Sequence, residues 1–266
     1  MLGFIDFVVY SFRLQQDNTL KYPISSILLL ITWLTPASAQ QSCVAQGQLK
    51  AEYQITVIKH KLQNMISNTK ETTLILWRKN NVVAHQYPST RITEMWQQIN
   101  DKMIKPMRFF NEYNRAIEYQ PGEVVHGKKE TDWSYRNQLI SDNLLTSMQT
   151  VSTHGETCEQ VVQLVQKTKK GDLLIEWMPQ LKLIKSFQYK DPQRQENWQL
   201  VELDIQSAKT AAYFDKLYTY QSTDYADIGD DHTDPFLTKM VTLGFVEAGA
   251  SGFYNDKGQQ IGDHHH

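Results

Sequence analysis

The stretch from Tyr53 to Tyr119 limits the fold most tightly, because it has the pattern of short strands joined by tight polar turns. The segments TLILWRK and VVAHQYP flank Asn80-Asn81, a pair that tolerates the positive φ of a tight hairpin. RITEMWQQI and MIKPMRFF flank the turn at residues 100–102 in the same way, and RAIEYQPG follows after one more turn. β-branched and aromatic residues alternate along these segments, which predicts an antiparallel meander.

Strand patterns return in the second half of the chain. CEQVVQLVQKTKKGD is ambiguous between helix and strand, and its valines favour a strand. DLLIEWMPQLKLIKSFQY and NWQLVELDI continue the series of strands. LIEW at residues 174–177 also echoes LILW at residues 74–77. This echo fits an internal duplication, or simply two strands that each pack a tryptophan on a sheet.

Three segments have a helical spacing instead. Apolar residues between Trp133 and Val151 lie close to one stripe, which predicts one helix capped by Asp132. SAKTAAYFDKLYTY, after Ser207, predicts a helix lying on the sheet. Asp234-Pro235 is a strong start signal for a last helix, because aspartate caps free amides and proline is favoured at the first helical position. The fold class is therefore α+β, with a curved, mostly antiparallel sheet and a few helices.

The N-terminal region has the pattern of a signal peptide. Lys21 precedes the apolar run ISSILLLITWL, and the small-residue end ASA closes at Ala39. The run is too short to span a bilayer, which needs about 20 residues. A membrane anchor is the alternative, although Asp6 in the upstream apolar patch is costly in hydrocarbon. We expect cleavage after Ala39 and a periplasmic or secreted product, and we interpret residues 1–20 as a start site placed too early.

The chain contains two cysteines, Cys43 and Cys158. In a chain heading for an oxidising compartment, a disulfide between them is the natural interpretation. Two unrelated buried thiols are the alternative. Neither cysteine has the C-x-x-C spacing of a redox motif or a zinc site.

Charge and length narrow the function classes. The formal net charge is −2, so no basic surface for nucleic acid is expected. The mature residues 40–262 can bury a substantial core as one β-rich domain, with a helical tail from about residue 207. The mature form is not expected to span a membrane. The closing histidines are native or a cloning remnant.

An acidic loop precedes the last helix and is a candidate metal site. Asp224, Asp227, Asp230 and His232 have a spacing that differs from the EF-hand pattern. They could still converge on Ca²⁺ or Zn²⁺. The alternative is a tight turn at Gly229 whose aspartates bond local amides.

Aromatic residues in or near the predicted strands form the candidate ligand-binding set. A curved sheet whose inner face exceeds what its helices can cover leaves a pocket for an apolar ligand; ordinary core packing is the alternative. The set consists of Trp77, Trp96, Trp177, Trp198 and Phe109.

The order of signal peptide, meander, interrupting helix and further strands such as LIEWMPQLKLIKSF resembles the LolA/LolB and RseB-like group of periplasmic proteins, over residues 50–206. The resemblance implies an unclosed β-barrel with helices that plug its mouth, and binding or sensing of lipoprotein acyl chains. It is one of pattern without a short motif, so no functional residue is carried over.

Three functions follow as hypotheses. The first is an exported, non-enzymatic binding or carrier protein for a lipid-like or other apolar ligand in the cell envelope. The second is an envelope interaction or assembly factor that uses the outer face of the sheet and the C-terminal tail. The third is a metal-dependent hydrolase built on the acidic loop. No catalytic residue is assigned, and no cofactor is expected apart from that metal.

Overall fold

The computed structural model describes Cys43 and residues 47–60, 67–125, 128–228 and 233–242, all within one compact unit, Gln41–His266. The predicted signal peptide lies outside these residues. The strands, in chain order, are β1 Leu49–His60, β2 Ser67–Lys79, β3 Val82–Tyr87, β4 Ile92–Asn100, β5 Met103–Phe110, β6 Arg115–Glu118, β7 Val124–Val125, β8 Lys128–Lys129, β9 Gln149–His154, β10 Val161–Lys167, β11 Asp172–Met178, β12 Leu183–Lys190, β13 Arg194–Asp204 and β14 Gln221–Asp224. The helices are α1 Trp133–Gln138, α2 Asp142–Ser147, α3 Ser207–Tyr218 and α4 Pro235–Thr242.

Twelve of the strands form one sheet, in the order β14-β6-β5-β4-β3-β2-β1-β13-β12-β11-β10-β9. Two antiparallel meanders, β1 to β6 and β9 to β13, meet at the β1–β13 ladder in the middle. β14 pairs with β6 in parallel. In the described part of the chain this sheet is not closed, and β14 and β9 are its edges. The expected mostly antiparallel sheet with a few helices is confirmed.

The predicted turns and most of the predicted elements are present. Asn80 adopts a φ of 56° between β2 and β3, as a tight hairpin requires. The ambiguous segment at residues 158–168 is the strand β10, preceded by a short 3-10 turn at Thr157–Glu159. The predicted helices after Ser207 and at Pro235 are α3 and α4.

The single helix predicted between Trp133 and Val151 is wrong. Two six-residue helices, α1 and α2, occupy this stretch, and Val151 belongs to the strand β9. Leu139 ends α1 with a left-handed φ of 65°, and the Ser141 side chain caps α2 by accepting from the Leu144 amide. A serine cap inside an apolar stripe starts a second helix, which the periodicity alone conceals.

The sheet is curved strongly enough to bring distant strands together. Arg78 of β2 donates hydrogen bonds to the carbonyls of Leu181 and Lys182, in the turn between β11 and β12. β2 and β12 are three positions apart in the sheet, about 14 Å if the sheet were flat. We call the face that carries Arg78 and the β1 residues Leu49 and Tyr53 the concave face, because the sheet bends toward it.

Helices cover both faces of the sheet. α3 packs on the convex face, where Phe214 and Leu217 join Met95 and Phe109 in one buried cluster. α4 covers the concave face over β4 to β6, and the segment of α1 and α2 covers its centre. The largest core cluster therefore lies on the concave face, beneath α1 and α2.

Candidate ligand-binding face

The concave face carries a group of aromatic side chains around Trp198. The ring of Trp198 lies 5.3 Å from that of Phe187 and 6.4 Å from that of Tyr53, measured between centroids. The Trp198 indole N–H donates to Glu196 Oε1 at 2.7 Å, so its polar atom is satisfied within the protein. The result is an apolar wall with a satisfied polar group at its border, as ligand sites for apolar molecules commonly have.

The five aromatic residues predicted to line a ligand site do not share one surface. Trp96, Trp177 and Trp198 belong to the core cluster on the concave face. Trp77 and Phe109 lie on the convex face, where Trp77 stacks on Tyr213 of α3 at 4.0 Å and Phe109 contacts Tyr220. A cavity on the concave side can therefore involve only the first three.

Further apolar side chains of the same cluster are only partly buried. They pack against the core from the strands and from the helices above them, and they mark where the face is least tightly closed. These side chains are Val57, Trp133, Leu144, Leu145, Val162, Leu173, Met178, Phe187 and Leu200.

α1 is held over the concave face mainly by Arg136. Its guanidinium lies 4.3 Å from the ring centroid of Trp96 and donates to Glu130 Oε2 from Nε at 2.8 Å. His85 of β3 donates from Nε2 to the backbone carbonyl of Arg136 at 2.7 Å. Burial, together with the positive charge of Arg136, lowers the pKa of His85 to about 3, so this histidine is neutral.

α2 is attached more loosely than α1. None of its six residues is fully buried, and its apolar residues Leu144 and Leu145 are only partly covered. Helices of six residues are not stable alone in water, so both depend on their contacts with the sheet. We call the segment of α1 and α2 the cover: α1 is firmly attached to the sheet, whereas α2 is attached weakly.

A buried ion pair lies on the concave face beside this cover. Arg108 Nη2 contacts Glu94 Oε1 at 2.6 Å, and both side chains are almost completely buried. Burial raises the pKa of Glu94, and the positive charge of Arg108 opposes that shift. The sequence contained a signal for this pair that the prediction missed, since Glu94 alternates with Ile92 and Trp96 and so shares their buried face.

The predicted metal residues are placed only in part. Asp224 is used locally, because it accepts from the Ala226 amide at 3.1 Å and from Gln120 Nε2 at 2.5 Å. Asp227 ends a short 3-10 turn at Tyr225–Asp227, and Asp230 and His232 lie outside the described residues. Within the described ranges, no group of three or more acidic, histidine or cysteine side chains could hold a metal ion. The metal site stays a prediction.

Asp234, next to that loop, has the capping role expected of it. It accepts from the amides of Phe236 at 2.8 Å and Leu237 at 3.4 Å at the start of α4. It also pairs with Arg115 of β6 at 2.7 Å, and this contact lowers the pKa of the carboxyl. α4 is therefore fixed to the sheet through its cap.

The predicted disulfide between Cys43 and Cys158 is confirmed. It links the segment before β1 to the 3-10 turn before β10, and Cys43 packs against the concave core cluster. In the sheet, β1 and β10 are separated by β13, β12 and β11. The bond therefore ties the two meanders together across the concave side.

No protein-family model and no curated protein matches the chain. Among solved structures, it is similar to a domain described as an outer membrane lipoprotein-sorting protein from Vibrio parahaemolyticus, with 7% identity, 66% of this chain and 95% of that one covered, and a TM-score of 0.30. It is also similar to a DUF1329 family protein from Desulfovibrio piger, with 6% identity, 66% and 92% covered, and a TM-score of 0.32. A third similar structure is that of PNGF-II, with 8% identity, 65% of this chain and 31% of that one covered, and a TM-score of 0.33.

The neighbours thus include a protein of the lipoprotein-sorting kind that the sequence pattern resembles. Across the residues that the structure describes, no helix is long and apolar enough to cross a membrane. We base the functional proposal on the geometry of the concave face.

Proposed function

We propose that this chain is an exported, non-enzymatic binding protein that holds a lipid-like or other apolar ligand against the concave face of its sheet. The curved sheet forms the wall of the proposed site, and the segment of α1 and α2 covers it. One observation carries the proposal: an aromatic face lies beneath two short helices, one of which has no fully buried residue.

In the closed arrangement the protein fills this face with its own side chains. Trp96, Trp177 and Trp198 are at most 8% exposed. A ligand therefore enters only when the cover moves, and it then replaces the contacts that Leu144 and Leu145 make with the core. Little burial is lost when α2 leaves, so the cost of opening is small compared with the gain from burying an acyl chain, about 0.8 kcal/mol per methylene group.

The first test is extraction of the mature protein. Residues 40–266, isolated after native export, are extracted with organic solvent and the extract is analysed by mass spectrometry. We expect an amphiphile in a near 1:1 ratio to protein. A clean extract, together with no binding of a fluorescent fatty acid to the extracted protein, would falsify the proposal.

A matched pair of variants ties binding to the concave face. Trp198→Leu removes an aromatic ring from the proposed site, and Trp77→Leu removes one from the convex face beneath α3. Both changes cost stability by a similar mechanism. We expect Trp198→Leu to weaken fatty-acid binding at least tenfold and Trp77→Leu to leave it within twofold. Equal losses in two folded variants would count against the concave site.

A further inference from the structure

The sheet is split at one end between β12 and β13. The two strands pair only from Ser186–Gln199 to Lys190–Gln195, although β13 continues to Asp204 along β1. An extra residue interrupts each strand at this level: Val201 in β13 opposite β1, and Lys185 in β12 opposite β11. Bulges bend a strand and increase its local twist, so β12 turns away over the concave face while β13 continues beside β1.

This split leaves one edge of β13 open. From Leu200 to Asp204, no strand of the described residues pairs with the edge that faces away from β1. The same stretch exposes apolar side chains: Val201 is 56% exposed, Leu203 37% and Ile205, just beyond the strand, 48%. An open strand edge with exposed apolar residues is a template for another strand.

The charges around the open edge are not balanced. On the convex side, Lys50 pairs with Glu52 and Glu202. On the β12 side, Lys182 and Lys185 are both exposed. No carboxylate in the described part of the chain forms an ion pair with either lysine.

We propose that the open segment of β13, Leu200–Asp204, is a docking site for an extended peptide segment of a partner protein. The peptide adds a short strand to β13, as in other cases of β-strand addition. Its alternate apolar side chains contact Leu203 and Ile205, and acidic residues beside them meet Lys182 and Lys185. Five residues of open edge accommodate a peptide strand of about the same length.

A peptide fits this edge better than a lipid does. The backbone N–H and C=O groups of Leu200–Asp204 that point away from β1 have no strand partner among the described residues, although the Leu200 carbonyl accepts from Gln199 Nε2 at 3.4 Å. Another backbone supplies both donors and acceptors to such an edge. An acyl chain would cover Val201 and Leu203 but would leave those backbone groups without a hydrogen bond, at a cost for each group. The docking site uses the backbone edge of β13, whereas the proposed ligand face uses side chains around Trp198; the two meet at Leu200 and are tested separately.

The probe is a fluorescein-labelled eight-residue peptide of alternating valine and glutamate, titrated against the folded mature protein by fluorescence anisotropy. We expect saturable binding by the wild type. The same peptide with alternate backbone amides N-methylated should bind at least tenfold more weakly, because it can no longer donate its hydrogen bonds. A Lys182→Glu/Lys185→Glu variant should bind the acidic valine–glutamate peptide at least fivefold more weakly than the wild type. The same variant should bind a peptide of alternating valine and lysine instead.

Two valines allow a matched control. Val201→Lys places a charge on the open edge, whereas Val151→Lys does the same on β9, the edge strand at the end of the sheet, where the native valine is also 56% exposed. We expect tenfold weaker peptide binding for Val201→Lys only, with fatty-acid binding unchanged in both variants. The proposal would be overturned by any of three results: no peptide binding to the wild type, equally strong binding of the N-methylated peptide, or equal effects of the two valine variants on peptide binding.

Discussion

Arg78 of β2 donates from Nη2 to the carbonyl oxygen of Leu181 at 2.5 Å. Leu181 lies in the turn that precedes β12, and β12 is three positions from β2 in the sheet. Burial lowers the pKa of Arg78 to about 10, so its guanidinium stays charged at neutral pH. This contact holds the turn between β11 and β12 over the concave face.

Removing this contact should loosen that turn. In Arg78→Ala, the buried carbonyl of Leu181 loses its donor, and an unsatisfied buried group costs about 1–3 kcal/mol before the lost packing is added. We expect urea unfolding to show a loss of about 2–4 kcal/mol. Lys209→Ala, which removes an exposed ion pair with Asp204, serves as the control and should change stability by less than about 1 kcal/mol. A similar small change in both variants would show that the contact does not hold the turn.

Substitutions of Glu94 and Arg108 should have non-additive effects on the free energy of unfolding. Glu94→Met removes the carboxylate that pairs with the buried guanidinium of Arg108, which costs about 3–5 kcal/mol. The double variant Glu94→Met/Arg108→Met removes both charges and should recover most of that loss. Chemical denaturation of Glu94→Met, Arg108→Met and the double variant measures the coupling between the two side chains. Additive losses would contradict a paired, buried arrangement.

His85 should make the protein sensitive to mild acid. Its pKa is depressed in the folded state to about 3, whereas an unfolded histidine has a pKa of about 6.5. Below pH 6.5 the unfolded chain binds a proton that the folded chain does not, so this group's contribution to stability is lost as the pH falls from about 6.5 toward 3.

The measurement compares wild type with His85→Gln, which cannot titrate. Between pH 7.5 and 5.5, the free energy of unfolding of the wild type should fall by about 1.4 kcal/mol more than that of the variant. His154→Gln, at an exposed position on β9, is the control for the substitution itself and is measured over the same pH range. Parallel curves for wild type and His85→Gln would contradict a buried neutral histidine.

The disulfide should contribute strongly to stability. Cys43 and Cys158 are separated by 115 residues, and in the chain-entropy model a loop of this length stabilises by about 5 kcal/mol. We expect reductant to lower the urea midpoint of the mature protein markedly, and the Cys43→Ser/Cys158→Ser variant to match the reduced wild type. The double variant should itself be insensitive to reductant. An unchanged midpoint after reduction of both thiols would contradict a clamp across the two meanders.

Local patterns were sufficient to predict the strands of the first meander, the later strands β10 to β13, and the helices α3 and α4. Asn80-Asn81 specified a hairpin, and Asp234-Pro235 specified the start of α4, because each depends on residues close in sequence. The helix expected from Trp133 to Val151 failed for a local reason as well: the Ser141 cap breaks it. The order of strands could not be predicted, since the β1–β13 pairing joins residues more than a hundred positions apart.

The candidate site was harder to predict than the fold. Trp77 and Trp177 end nearly identical segments, LILW and LIEW, yet they lie on opposite faces of the sheet. A shift of one residue in phase moves a side chain to the other face, and a short sequence match does not reveal that phase. The contacts of Arg78 and Arg136 depend on curvature, which brings together residues that no sequence spacing connects.

The position of β1 in the middle of the sheet has a consequence during synthesis. Its second neighbour, β13, leaves the ribosome about 135 residues later, roughly ten seconds at typical elongation rates. Throughout that interval one edge of β1 has no strand partner, and unpaired strand edges promote association between chains. The interval before β13 is complete is therefore the period in which pairing of β1 with another chain competes most with folding.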